Sequence, residues 1–271
     1  MSTNHQLITL LETDAPIIMG IVNATPDSFY DGGQPLDAIK HGIDNMQSLK
    51  VDIIDLGAES SRPGAQPISS SEEIDRLRAP LLHASTHTTA VLSVDTYKPE
   101  TAEFALTNGA SIINDITGGE SDELLHIIAK HHGAIVLMHK QGDPSQMQKK
   151  PSYENVIDEI YGYLAQQIQK AQSFGIETIM IDPGIGFGKT LDHNLLILKN
   201  LDQFCSLNCP LLIGTSNKSF IGQLTHAKVD ERIPGSIASA IACYKKGAQI
   251  FRVHNIKETQ QAFDVFRAIH E

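Results

Sequence analysis

The stretch 17-IIMGIVNATPDSFYDGG-33 decides how the chain is read. A short apolar run from Ile17 ends in the polar Asn23. A polar segment follows, carries the aromatic pair Phe29-Tyr30 and closes on Gly32-Gly33. A strand that ends in a polar residue and opens into a loop is one unit of a plan. The rest of the chain repeats it.

Further runs of strand length are VDIIDLG (51–57), AVLSVD (90–95), SIINDI (111–116), AIVLMH (134–139), TIMID (178–182), PLLIGTS (210–216) and QIFRVH (249–254). Amphipathic segments alternate with them. Pro35–Leu49 places Ala38, Ile39, Ile43, Met46 and Leu49 on one helical stripe. Ser71-Glu72-Glu73 opens another helix, with a serine cap and early acids that suit the helix dipole. Gly109, Gly133, Gly175 and Gly247 stand where helices should stop. The strands are mostly unbroken apolar runs, as expected when both faces of a parallel sheet are buried. Eight such units, without a break in composition, predict a (β/α)8 TIM barrel of the α/β class, a single domain over residues 1–271. An open doubly wound sheet is the alternative. No sequence word recurs, which excludes a solenoid.

Composition narrows the function. A net charge of -11 argues against a nucleic-acid or anionic-membrane surface, although a local basic cluster can still serve a small anionic substrate. No apolar run reaches ~18 residues, so no membrane span is expected. MSTNHQLITLLETD has no basic region followed by a long apolar one and does not read as a secretory signal. Cys205, Cys209 and Cys243 lack zinc-type spacing and read as reduced thiols of a cytoplasmic protein.

The residues at the C-terminal ends of the strands are polar almost without exception. They are Asn23, Asp55 with Glu59, Asp95, Asn114 with Asp115, His139, Asp182, Thr215 and Ser216 with Lys218, and Arg252 with His254. In a barrel these ends share one mouth, where the active sites of the fold sit. Any one of them could merely brace a turn or cap a helix. Together they predict a polar pocket with two halves. Asp95, Asn114 and Asp182 suit a flat, nitrogen-rich ring, since a carboxylate accepts two parallel N–H bonds from a guanidine-like edge. Arg62, Lys218, Arg252 and His254 suit a phosphate or pyrophosphate, and Arg252 and His254 share one face of their strand.

DPGIGFGKT (182–190) resembles neither of two common phosphate loops. Only three residues separate Gly184 from Gly188, one short of a Walker A loop, and Lys189 stands where GxGxxG needs glycine. Two readings stay open. One is a tight glycine turn. In the other, backbone approaches a ligand that Asp182 binds and Phe187 packs on. No GxSxG elbow and no HExxH appears, and His139 reads equally well as a hydrogen-bonded core residue. A metal would be Mg2+ carried largely by substrate phosphates, with Asn23 as one oxygen ligand.

NATPDSFYDGG, DLGAESSRPGA, SVDTYKPE, INDITG, LMHKQG, DPGIGFGKT, GTSNKSFIG and RVHN, in this order, resemble the motifs of the dihydropteroate synthase family. The resemblance spans essentially the whole chain. It implies a (β/α)8 barrel that condenses p-aminobenzoate with 6-hydroxymethyl-7,8-dihydropterin pyrophosphate in folate synthesis, with Mg2+, in a cytoplasmic homodimer. Asn114, Asp182 and Lys218 match its pterin positions, with Asp95 at the same mouth. Arg252 and His254 match its pyrophosphate pair, and Asn23 its Mg2+ ligand. Asp95, Asp182, Lys218, Arg252 and His254 are the catalytic residues this implies. Ser61, Arg62 and Pro63 fall in its second loop. Phe187, Ser216 and Ser219 fall in its p-aminobenzoate pocket. Thr25, Pro26, Asp27, Ser28 and Phe29 fall in a mobile first loop that closes the site. Three positions depart from the family pattern: Ser61 for threonine, Asn217 for the arginine before the motif lysine, and Asn255 for aspartate. The second removes a cation beside the p-aminobenzoate pocket. A methyltransferase-type pterin barrel and a non-catalytic pterin-binding homologue are the competing readings.

Overall fold

The computed structural model describes residues 3–24, 35–60, 66–142, 147 and 151–270. The first-loop residues Thr25, Pro26, Asp27, Ser28 and Phe29 and the second-loop residues Ser61, Arg62 and Pro63 lie outside them.

Eight parallel strands form the centre: β1 Ile17–Asn23, β2 Ile53–Gly57, β3 Val91–Asp95, β4 Ile112–Asp115, β5 Ala134–Met138, β6 Ile179–Asp182, β7 Leu212–Ile213 and β8 Ile250–Val253. Their order is β6-β5-β4-β3-β2-β1-β8-β7. A parallel bridge between Ile181 and Leu211, with the Ile181 N–H donating to Pro210 O at 3.0 Å, joins the two ends into a barrel. The expected strand and helix order is therefore observed, with ends shifted by one or a few residues. The largest shortening is at β7, where the barrel is closed by that bridge.

The outer helices are α2 Pro35–Ser48, α3 Ser70–His87, α4 Pro99–Thr107, α5 Asp122–Lys130, α6 Val156–Ser173, α7 Leu191–Lys199, α8 Ser219–Thr225, α9 Ile233–Tyr244 and α10 Ile256–His270. Their starts are chemically marked. Ser69, Ser121, Asn155 and Thr190 each accept a backbone N–H of the first turn, and Pro99 stands at the first position of α4, where a missing N–H is harmless. One helix was not anticipated. α1, Thr3–Leu11, precedes the barrel, and its Leu7 is buried with the interior side chains of the strands. Gln6 ties it to Thr89 O at 2.6 Å.

The period of two along each strand divides the core. Leu56, Val94, Ile113 and Ile135 face the helices, in one large apolar cluster. Ile17, Met19, Ile53, Val91, Ile112, Val136, Met180, Leu212 and Ile250 face the barrel axis in a second, which α1 seals from below. Two residues further along the same inward faces the chemistry changes to Asp55, Ser93, Asn114, Asp182 and Arg252. Among the described residues no helix is long and apolar enough to cross a membrane.

Candidate active site

Above the apolar layer lies a cleft of about 480 Å³ at the C-terminal ends of the strands. Asp95, Asn114, Asp182, Phe187, Ser216, Lys218, Arg252 and His254 line it, between the apolar walls of Ile21, Ile116, Met138 and Ile185. These eight polar and aromatic residues are all among those expected from sequence. Ser219 opens α8, next to Lys218.

At the base of the cleft is a buried ionic lattice. Asp55, fully buried, accepts from Ser93 Oγ at 2.6 Å, from Asn114 Nδ2 at 3.3 Å and from Arg252 Nε at 2.6 Å. Arg252 also donates through Nη2 to Asp95 Oδ2 at 2.8 Å. Arg252 is thus held by two carboxylates. They outweigh the cost of its burial and keep its pKa above the usual value. Burial pushes the Asp95 carboxyl up to about 7. The Arg252 charge opposes this, while the like charges of Asp55, Glu73 and Asp115 add to it. Behind Asp95, Glu73 accepts from Thr101, Thr96 and Lys98, and Lys98 also pairs with Glu59 at 2.6 Å.

Asp182 is placed by the glycine turn that follows it. Its Oδ1 accepts the Gly184 N–H at 2.7 Å. Gly184 has φ +71, and a Cβ there would lie 1.9 Å from the His139 carbonyl oxygen, so only glycine lets the turn pack on the end of β5. Further on, the Phe187 ring lies 4.0 Å from Lys218 Nζ, a cation–π contact on the cleft wall. DPGIGFGKT is therefore a tight turn, of which Asp182, Ile185 and Phe187 line the cleft. Burial raises the pKa of Asp182, against the Gly184 N–H and the charges of Lys218, Lys189 and Arg252. Burial lowers Lys218 to about 8, against the pull of Asp182.

At the rim, Ser216 Oγ lies 3.1 Å from His254 Nδ1 and accepts the His254 N–H at 3.2 Å, joining the ends of β7 and β8. Asn217 adopts φ +59, a left-handed conformation that asparagine tolerates better than arginine. Its N–H donates to Ser236 Oγ at 2.9 Å and its carbonyl accepts from Arg232 Nη1 at 3.1 Å, so α9 clamps the residue that aims Lys218.

Two strand-end residues turn away from the cleft. Asp115 follows the inward Asn114 and so faces outward. It accepts Thr117 N and Oγ1 and Gly119 N, at 2.7, 2.6 and 2.7 Å, as the brace of its own loop. His139 follows the inward Met138 and packs against Tyr163 and Lys189. Burial and the Lys189 charge bring its pKa down to about 3. Sequence reading named Asp55 without giving it the central place it holds, and gave Lys189 no role.

Asn23 is exposed at the end of β1. Among the described residues no group of three or more His, Cys, Asp or Glu could hold a metal ion. A single amide oxygen at the rim fits only an ion that keeps water and phosphate oxygens around it, which is the habit of Mg2+.

Comparison with known proteins shows the family and the fold. The family model described as pterin binding enzyme matches residues 19–254. The chain is 43% identical over 266 residues to a dihydropteroate synthase of Escherichia coli, covering 96% of this chain and 94% of that protein. A Yersinia pestis dihydropteroate synthase solved as a sulfonamide drug complex superposes with TM-score 0.90 at 38% identity, over 94% of each chain. The Xanthomonas albilineans dihydropteroate synthase solved with 4-aminobenzoic acid gives TM-score 0.90 at 35% identity, over 96% of this chain and 94% of that one.

Proposed function

The chain belongs to the pterin-binding enzyme family as a dihydropteroate synthase, a transferase of folate synthesis, and on that premise we propose how its own residues divide the reaction. The substrates are 6-hydroxymethyl-7,8-dihydropterin pyrophosphate and p-aminobenzoate. The observation that carries the assignment is that Asn114, Asp182 and Arg252 share one inward layer, with Phe187 and Lys218 stacked over it.

The pterin ring lies in that layer. Its amino and ring N–H groups donate to the Asp182 carboxylate, which the Gly184 N–H holds in place, and the Asn114 amide completes the edge. The pyrophosphate points to the rim, toward His254 and Lys218, with the guanidinium of Arg252 beneath it. p-Aminobenzoate enters last, beside Phe187, Ser216 and Ser219.

An arylamine carries a free lone pair near neutral pH, so the site needs no strong base. The difficult event is departure of pyrophosphate. The exocyclic C–O bond breaks and its electron pair leaves on the pyrophosphate oxygen. The electron-rich dihydropterin spreads the resulting positive charge, and Asp182 stabilises it electrostatically. The amine nitrogen then forms the C–N bond and gives up one proton. Lys218 and His254 stabilise the charge growing on the leaving group. Asn23 would lend one oxygen to Mg2+, which when bound supplies further charge neutralisation there.

The test is incubation of the purified protein with the pterin pyrophosphate, Mg2+ and p-aminobenzoate. Stoichiometric pyrophosphate and 7,8-dihydropteroate are expected. Pterin binding without turnover would overturn the assignment. Rates measured with substituted anilines probe the order of bond events: a weak dependence on nucleophilicity fits early C–O cleavage, and a steep one contradicts it.

A further inference from the structure

Lys189 is 3% exposed and lies outside the cleft lining, yet it is bonded to two segments that end at the cleft. Its Nζ lies 3.0 Å from His139 Nδ1, 3.2 Å from the His139 carbonyl oxygen and 3.0 Å from the Phe187 carbonyl oxygen. An ammonium has three N–H bonds, and three acceptors surround this one. They come from two places: the residue after β5 and the turn after β6. The same Nζ is 3.3 Å from where a Cβ on Gly184 would stand, and Gly184 is the residue whose N–H holds Asp182.

We propose that Lys189 is a positioning residue of the reaction. Its ammonium fastens the end of β5 to the glycine turn, fixes the backbone that carries the Phe187 ring under Lys218, and stands as a buried counter-charge behind Asp182. Its effect on the reaction rests on Asp182 being the pterin-binding carboxylate; the bonding of Lys189 to His139 does not.

The charged groups around it are few. Asp182 on β6 attracts it, and Lys218 after β7 repels it. Burial lowers its pKa to about 7, against Asp182. On the β5 side, His139 faces it, and His139 in turn feels Lys140; on the α6 side, the phenols of Tyr153 and Tyr163 flank the His139 ring, and His193 of α7 packs on Tyr153. Asp182 itself also feels Lys218 and Arg252.

The alternative bonding is a neutral amine. It has two N–H bonds, enough for the two carbonyls, and would then accept a proton-bearing Nδ1 from His139. The two arrangements demand opposite tautomers of His139: Nε2–H opposite an ammonium, Nδ1–H opposite an amine.

The first measurement uses the intact, unliganded wild-type protein with 15N-labelled histidine. A neutral His139 with Nε2 protonated and Nδ1 bare is expected between pH 5.5 and 6, below the pKa of Lys189 and above that of His139; protonation on Nδ1 there would refute the ammonium. The second follows binding of 6-hydroxymethylpterin, an unreactive probe, by calorimetry from pH 5.5 to 8.5. Removing the counter-charge in Lys189→Met should move the acid limb of binding upward by about one pH unit, so that the loss of affinity grows as pH falls, toward about tenfold below the limb, and is smallest at pH 8.5. Lys189→Arg should restore most of it. Equal loss at every pH, or none, overturns the counter-charge role. Should Lys189→Met not fold, Lys189→Arg and Lys189→Gln carry the same comparison. If the wild type itself does not bind the probe, the pterin assignment fails while the His139 tautomer still decides the bonding.

Discussion

Arg252 donates its Nε–H to the fully buried Asp55 at 2.6 Å, a bond between residues 197 positions apart. It joins β8 to β2 past the intervening β1 and settles where the guanidinium stands before any substrate arrives. Removing one partner of such a pair leaves an uncompensated buried charge. Asp55→Ala should cost about 3–5 kcal/mol of stability, measured by urea unfolding, with turnover lost as well. Asp55→Asn keeps an acceptor and should cost less. A neutral effect of both changes would show that Arg252 does not depend on Asp55.

In the reaction proposed above, Asp182 and Lys218 act on the charge that develops during C–O cleavage. Asp182→Asn and Lys218→Ala should each reduce kcat by about 10²–10³-fold with native circular dichroism. Near-normal turnover in either variant would remove that residue from the reaction.

The Asp95 carboxyl has a stability signature in pH. Its folded pKa, about 7, lies above the ordinary 3.8, because burial beside Asp55, Glu73 and Asp115 outweighs Arg252. The fold therefore prefers the protonated form. The favourable contribution is complete below about pH 4 and is lost as pH rises through about 7. Asp95→Asn abolishes this dependence, so the difference in Tm, variant minus wild type, should increase from pH 4 to pH 8. A difference that is flat or falls over that range contradicts the assignment.

Gly184 and Gly162 give an internal contrast. A Cβ at Gly184 would meet the His139 carbonyl oxygen at a φ of +71, whereas one at Gly162 in α6 would meet nothing within 4 Å. Gly184→Ala should destabilise by ~2 kcal/mol or more and weaken pterin binding through Asp182. Gly162→Ala should stabilise by roughly 0.5–1 kcal/mol. Thermal melts of the two variants decide this, and a harmless Gly184→Ala would mean that the turn can relax.

Much of this architecture was legible because strand length and spacing are local properties. The apolar runs and the glycines between them specify eight units, and a polar residue after each run marks the mouth. The face on which such a residue lies is harder to read. Asn114 and Asp115 are adjacent, yet one lines the cleft and the other braces a loop, because side chains alternate along a strand. Counting outward from Ile112 would have separated them. The same count places Asp55 inside, two residues beyond Ile53, but its partners Ser93, Asn114 and Arg252 come from three other strands, which no local pattern reveals. Lys189 left no signal either. A lysine after a glycine turn ordinarily points to solvent, and only the return of the turn onto His139 buries it. The N-terminal helix α1 escaped notice because its short apolar stripe acquires meaning only against the barrel's underside.

The inner apolar layer, closed beneath by Leu7, also imposes a sequence in time. Among the described residues the barrel is a shaft closed at its base and open at the mouth. Whatever enters first occupies the far end, and a second molecule standing by Phe187 and Ser216 bars the exit. On the proposed placement of the substrates, depth is thereby converted into order of arrival: the pterin precedes p-aminobenzoate, and the joined product retreats along the path of entry. Product-inhibition kinetics should register this as an ordered mechanism, with p-aminobenzoate retained only once the far end is filled; equal affinity for p-aminobenzoate in the empty protein would show that the doorway admits either molecule first.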